Sequence, residues 1–334
     1  MKEKNKRKEN MFDDHIEDLF DENIEQTGTI AKTIKKAQRK TIIRNVIISI
    51  TVSSILMLVF FVLLPVIKQY QEDKAISDSG LYDRFTFTNP NVHITGSQTI
   101  SNGLFNGIIT FEQYKIINGK PIDWGEKKIE YSLFGRAHSF GGDHSPIQLE
   151  QVKNGRSYDR YTKQLIMEYY HPDVKYDSMI NDFPRLKKMP DTLAAELAIS
   201  FNDKLSPQQV RDLIPKGVSL QWYWVDIYDK LDDETMPIQA NGFNFYGFEH
   251  RNDVPSEELF IKWLKTSASH ESENYYDKET KQVYKYIKGK NKEIKTEQIK
   301  ILGAVISGTP ENLIKVKNIP QVRTGVLGAV TNNY

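Results

Sequence analysis

Apolar and polar residues are spread unevenly along this chain, and the unevenness predicts most of its elements. The opening MKEKNKRKEN is charged or polar throughout and has no apolar face to bury, which predicts an unstructured start. Over 11–26 the pattern changes. Phe12, Ile16, Leu19, Phe20 and Ile24 recur at steps of three and four, the spacing of one helical face, while Asp13, Asp14, Glu17, Asp18, Asp21, Glu22 and Glu25 fill the rest. This predicts a short, strongly acidic amphipathic helix. Thr27-Gly28-Thr29 predicts a break. The basic, helix-compatible IAKTIKKAQRKTIIR then leads into 45–67, NVIISITVSSILMLVFFVLLPVI, which carries no charge at all.

A helix needs about 20 apolar residues to cross the hydrocarbon of a bilayer, and 45–67 meets that length. A buried core helix would be shorter and would keep a polar stripe. A cleaved signal peptide would have an apolar run of about 7–15 residues followed by a small-x-small site, and neither feature is present. The run is therefore expected to stay in the protein as a single membrane span. Lys32, Lys35, Lys36, Arg39, Lys40 and Arg44 precede it, and only Lys68 and Lys74 closely follow. By the positive-inside rule, 1–44 is a cytoplasmic tail with a basic collar, and everything from Lys68 onward is exported.

Beyond the span, 68–82 reads as a polar connector. The runs RFTFT, LFNGIITFEQYKII and KIEYSLFG, separated by Gly, Asn and Pro, predict strands and make 83–189 an exported β-rich region. Within it DRYTKQLIMEYY has helical spacing, and Met189-Pro190 marks a boundary. From 190 to 334 strand and helix patterns mix. Ser206-Pro207 opens a helix with Ser as N-cap and Pro in the first helical position. Ser256 caps SEELFIKWLK, 274–288 is a further helix, and TPENLIKVKN begins as a helix between the strands QIKILGAVISG and VRTGVLGAVTN. The expected fold class is α+β, with one N-terminal transmembrane helix, the exported β-rich region and a mixed C-terminal domain.

Charge and candidate chemistry narrow the function. The 45 Lys+Arg and 44 Asp+Glu leave a net charge of +1, which offers no global attraction for nucleic acid. The absence of cysteine removes disulfides, thiolate metal sites and thiol nucleophiles. His138 and His144 in HSFGGDHS, with Asp143 beside the second, match no tight metal-ligand spacing and read as loop residues; His250 reads the same way. No nucleophile elbow, phosphate loop or zinc helix occurs, and pairs such as Asp232-Asp233 are expected in a chain with 44 acidic residues. The sequence thus assigns no catalytic residue, cofactor or metal. Trp222-Tyr223-Trp224 in VSLQWYWVDIY reads as strand packing, with Tyr223 and Val225 on the face opposite Trp222 and Trp224.

Two long stretches carry a resemblance. AKTIKKAQRKTIIRNVIISITVSSILMLVFFVLL on one side, and VSLQWYWVDIY, GFEHRNDVPSEELFIKWLK and ILGAVISGTPENLIKVKNIPQVRTGVLGAVTNNY on the other, resemble the sigma factor regulators of Gram-positive bacteria, which are membrane-anchored anti-sigma factors. The resemblance implies that the tail holds an extracytoplasmic-function sigma factor away from RNA polymerase while the exported part senses envelope conditions. Unlike zinc-containing anti-sigma domains, this tail has no cysteine and only His15, so contact would be made by short helices without a metal-stapled fold. The residues expected to bind are Phe12, Ile16, Leu19 and Phe20, with Asp13, Asp14 and Glu17 complementing basic sigma surfaces. The implied partners are a sigma factor, the lipid bilayer and a second membrane or envelope protein, with no direct nucleic-acid contact. Two alternatives stay open: an exported envelope-binding protein whose tail only sets orientation, and an anchored envelope enzyme whose active site the sequence does not display.

Overall fold

In a computed structural model the described residues are 2–79, 84–103, 105–140, 144–148, 156–229, 231, 236–239, 245–269 and 275–333, the side chains of 2–29, 101, 140, 275 and 276 excepted. The chain divides into two compact units, Met1–Gln69 and Tyr70–Tyr334.

The first unit is helical. Helix α1, Lys2–Leu58, passes without interruption into a π turn, Val59–Leu63, and helix α2, Leu64–Asp78. The unstructured start and the break at Thr27-Gly28-Thr29 are both corrected by this, since α1 begins at Lys2 and runs through Gly28. A lone glycine costs a helix only about 1 kcal/mol, which good helix formers on either side outweigh. The stretch Ile30–Asp78 has a window of mean hydropathy 2.8 with none of it buried, as a single-pass span requires. The π turn has a local cause. Pro65 has no N–H to offer the Phe61 carbonyl and its ring crowds that carbonyl, so the turn widens and Leu64 N–H donates to Val59 O.

The second unit is β-rich at first and mixed α/β later. A four-stranded antiparallel meander holds β1 (His93–Asn102), β2 (Asn106–Ile117), β3 (Lys120–Ser132) and β4 (Ala137–Phe140) in that order. Its inner face buries Ile109, Phe111, Ile129 and Tyr131 against Ala75 and against Phe85 of α3, Phe85–Thr88. One prediction fails here and one segment gains a structure. The connector at 68–82 is helical through Asp78, because Ala75 has a sheet to pack on and Glu72 accepts hydrogen bonds from Thr99 (2.6 Å) and Tyr131 (2.8 Å). RFTFT is a helical turn and not a strand. Thr88 and Asn89 side chains return to the Arg84 and Phe85 carbonyls, and Trp222 Nε1 donates to Thr86 O.

Short strands follow. β5 (Pro146–Gln148) pairs with β6 (Ser157–Asp159), and β7 (Glu168–Tyr169) pairs with β10 (Ile238–Gln239). The helix expected over 159–170 is therefore absent. Asp159 instead closes a turn by accepting the Thr162 N–H at 2.7 Å, and Leu165 and Met167 bury at a spacing of two.

The central sheet has β8 (Leu193–Leu205), β9 (Val218–Val225), β11 (Gly247–Glu249), β12 (Ile301–Gly308) and β13 (Val322–Asn332), antiparallel in the order β11-β9-β12-β8-β13. Both faces are covered, so the strands read as continuous apolar runs rather than alternating ones. Tyr223 and Val225 join one core and Trp222 and Trp224 the other, as the alternation predicts. Helices α6 (Ser256–Ser269) and α7 (Tyr275–Lys288) cover the first face through Phe260, Leu264, Val283 and Ile287. Smaller helices α4 (Phe183–Leu186), α5 (Pro207–Leu213) and α8 (Pro310–Leu313) complete the unit. Ser206 and Gln209 form the reciprocal capping box of α5. Ser256 opens α6, although its hydroxyl accepts the Arg251 N–H at 2.9 Å. The boundary expected at Met189-Pro190 falls inside this unit.

Candidate functional site

In the first unit the candidate partner-binding residues, Phe12, Ile16, Leu19, Phe20, Asp13, Asp14 and Glu17, lie on the helical backbone of α1, and their side chains lie outside the described residues.

The second unit contains a cavity of about 450 Å³ on the inner side of the meander, a size that suits a small ligand. Its floor follows from strand alternation. The inner-face positions of β2 run Ile109, Phe111, Gln113, Lys115, Ile117, and those of β3 include Lys127, Ile129 and Tyr131. Register pairs Phe111 with Lys127 and Gln113 with Gly125, so Gln113 and Lys127 are diagonal neighbours where the apolar core turns polar. The register slips at this point. Gly125 has φ +88°, and a Cβ there would sit 2.4 Å from the Tyr161 ring, so only glycine fits.

Ionisable groups around the cavity mostly lie in pairs. Lys115 Nζ lies 2.8 Å from Glu196 Oε2 and 4.1 Å from the centre of the Trp124 ring. Asn91 Nδ2 donates to the other Glu196 oxygen at 2.8 Å, and the Ala329 N–H adds a longer bond. His144 Nδ1 lies 2.7 Å from Asp159 Oδ2, with the imidazole stacked parallel to Trp124 at 6.0 Å. Burial alone would raise the Asp159 pKa, but hydrogen bonds from His144 and Thr162 outweigh it and hold the carboxyl below its ordinary range. His144 Nε2 is buried without a hydrogen-bond partner among the described residues. Lys127 differs from the other cations. It lines the cavity, and burial, reinforced by the charge of Arg84, holds its ammonium below the ordinary lysine value.

His144 thus takes Asp159 as its partner; Asp143, its neighbour in sequence, lies outside the described residues, as do Asp232 and Asp233. His138 sits on exposed β4 opposite Glu130. His250 is half-buried and bonds the Tyr223 hydroxyl at 3.0 Å and Asn252 at 3.1 Å. Gln113, Lys115, Trp124, Lys127 and Glu196 did not stand out as chemistry in the sequence. The signal available was the polar residues at inner positions of ITFEQYK and EKKIEY.

Two family models match the chain: the sigma factor regulator N-terminal model over 31–122 and the sigma factor regulator C-terminal model over 186–329. No curated protein and no solved structure matches it. The N-terminal match contains the apolar helix, β1 and β2, and the C-terminal match contains nearly all of the central sheet. The acidic segment 11–26 precedes both, and Trp124, Lys127, His144 and Asp159 fall between them. With matches to both parts of one regulatory family in the proper order along the chain, this protein belongs to the sigma factor regulator family and acts in regulating sigma factor activity.

Proposed function

We propose that the chain is a single-pass anti-sigma factor, with 1–44 in the cytoplasm and the second unit outside, that sequesters an extracytoplasmic-function sigma factor through its tail. The observation that carries this is the acidic segment 11–26 with its apolar spacing, placed ahead of a basic collar and a charge-free span. The collar has an ordinary role in orienting the span. The acidic segment has none, and an apolar stripe edged with carboxylates suits a partner with basic surfaces and apolar clefts. The second unit senses envelope conditions, and no catalytic role is assigned to it.

The test is a pull-down of cytoplasmic proteins on the tail peptide 1–44, followed by transcription from the sigma-dependent promoter in a Leu19→Ala/Phe20→Ala strain. Full burial of such side chains is worth about 1.5–3 kcal/mol each, so the double variant should bind more than about tenfold more weakly and switch the promoter on. Neutralising Asp13, Asp14 and Glu17 should slow association and matter less at high salt. Recovery of no sigma factor, or a silent promoter despite normal membrane levels of the variant, removes the anti-sigma reading in favour of an envelope-anchored binding protein.

A further inference from the structure

The meander cavity holds one lysine that meets no counter-ion among the described residues. Lys115 is paired with Glu196, and His144 with Asp159. Lys127 remains. It has no hydrogen bond and no counter-ion among the described residues, and it projects from the same sheet face as Phe111, Ile129 and Tyr131. A half-buried ammonium on the core face of a sheet is only partly hydrated, a cost that structural lysines offset by pairing. Its diagonal neighbour Gln113 is only 6% exposed and lines the same cavity, and its side chain has no hydrogen-bond partner among the described residues. Donors from two adjacent strands therefore line one cavity with no acceptor for them among the described residues. Phe85, Pro90, Val92, Trp124 and Pro146 line the remainder and offer apolar contact.

We propose that this cavity binds a small organic acid, with one carboxylate held by the Lys127 ammonium and the Gln113 amide and an apolar body against Trp124. The size of the cavity, about 450 Å³, excludes a polymer chain lying wholly within it. A hydrogen bond to a charged group is worth more than one between neutral groups, so discrimination should fall on the carboxylate. The assignment deepens the sensing role proposed above and rests on it for its biological use; the binding itself is independent of any sigma factor.

The experiment uses the purified full-length chain in nanodiscs, with benzoate and hexanoate as carboxylate probes and benzamide as the uncharged shape control. Ligand-observed NMR titration should give saturable carboxylate binding at least about tenfold tighter than that of benzamide, corresponding to one charge-assisted contact. Lys127→Met and Lys127→Gln should each reduce the carboxylates to the benzamide level, while Lys127→Arg retains the preference. In the absence of probe, Lys127→Met should raise the melting temperature of the chain, since it removes an unpaired cation. Carboxylates that bind no better than benzamide, binding unchanged in both neutral variants, or a Lys127→Met variant less stable than the parent would each overturn the assignment. Loss of probe binding with sigma release intact would sink this site alone, and the converse would sink the sigma reading alone.

Discussion

Lys115 and Glu196 form an ion pair of 2.8 Å with side chains 5% and 0% exposed, and they belong to the stretches matched by two different family models. The pair ties the inner face of β2 to β8 and is supplemented by Asn91, which also donates to the Ile116 carbonyl. Removing one partner of a buried pair strands the other, at a cost of about 3–5 kcal/mol. Glu196→Ala and Lys115→Ala should each lower the melting temperature strongly, whereas Lys115→Met with Glu196→Leu should lose less than the two single effects combined. A double variant that loses the full sum would show that the two residues act independently.

Acid should weaken the second unit through two histidines. Burial is the main influence on His93 and outweighs the nearby Glu249, with Lys115 pushing the same way as burial; His250 is lowered chiefly by burial too, with Arg211 pushing the same way and Asn252, Glu257 and Glu249 opposing. Both folded pKa values thus lie below the unfolded value of about 6.5, and below that pH the unfolded chain binds more protons. Stability is complete above about pH 6.5 and declines as pH falls from there toward the folded values. Thermal melting as a function of pH should show this slope, and His93→Gln with His250→Gln should flatten it. An unchanged slope would place the titration elsewhere.

Gly303 lies at the register shift of β12, and a Cβ there would be 2.4 Å from the Ile199 carbonyl oxygen. Backbone cannot swing aside as a side chain can, so Gly303→Ala should cost about 1–3 kcal/mol or more by overpacking. Gly96 has nothing within 4 Å of its would-be Cβ, and Gly96→Ala should stay within about 0.5 kcal/mol. Urea denaturation of the two variants checks the contrast.

The orientation proposed for the span predicts that a reporter active only in the cytoplasm is silent when fused after Tyr334 and active when fused within 1–44. The opposite pattern would reverse the topology and remove the regulatory reading with it.

Elements set by local periodicity were legible. The alternation in GIITFEQYKII marks β2, and Ser206-Pro207 marks the start of α5 together with its cap. The faces of Trp222 and Tyr223 follow from the same period-two rule. Elements set by distant partners were not. RFTFT alternates like a strand, yet Arg84 is drawn to Glu279 at 2.6 Å and Thr86 to Trp222, and the turn between them is helical. The pairing of His144 with Asp159 depends on how two loops meet, which no spacing records. Gln113 and Lys127 could have been found as polar residues on a buried face, once the strand pairing was known.

The position of β12 bears on how the protein can be made. It is the middle strand of its sheet, yet it begins at Ile301, after every other strand of the unit except β13. Without it β8 and β9 share no neighbour, and each presents a long apolar edge of the kind that pairs with other chains. A ribosome adding about 5–20 residues per second therefore leaves these edges open for several seconds or more after β8 and β9 have been synthesised. The second unit closes in one late step, and chains that stop short of 301–308 are left as substrates for aggregation or proteolysis.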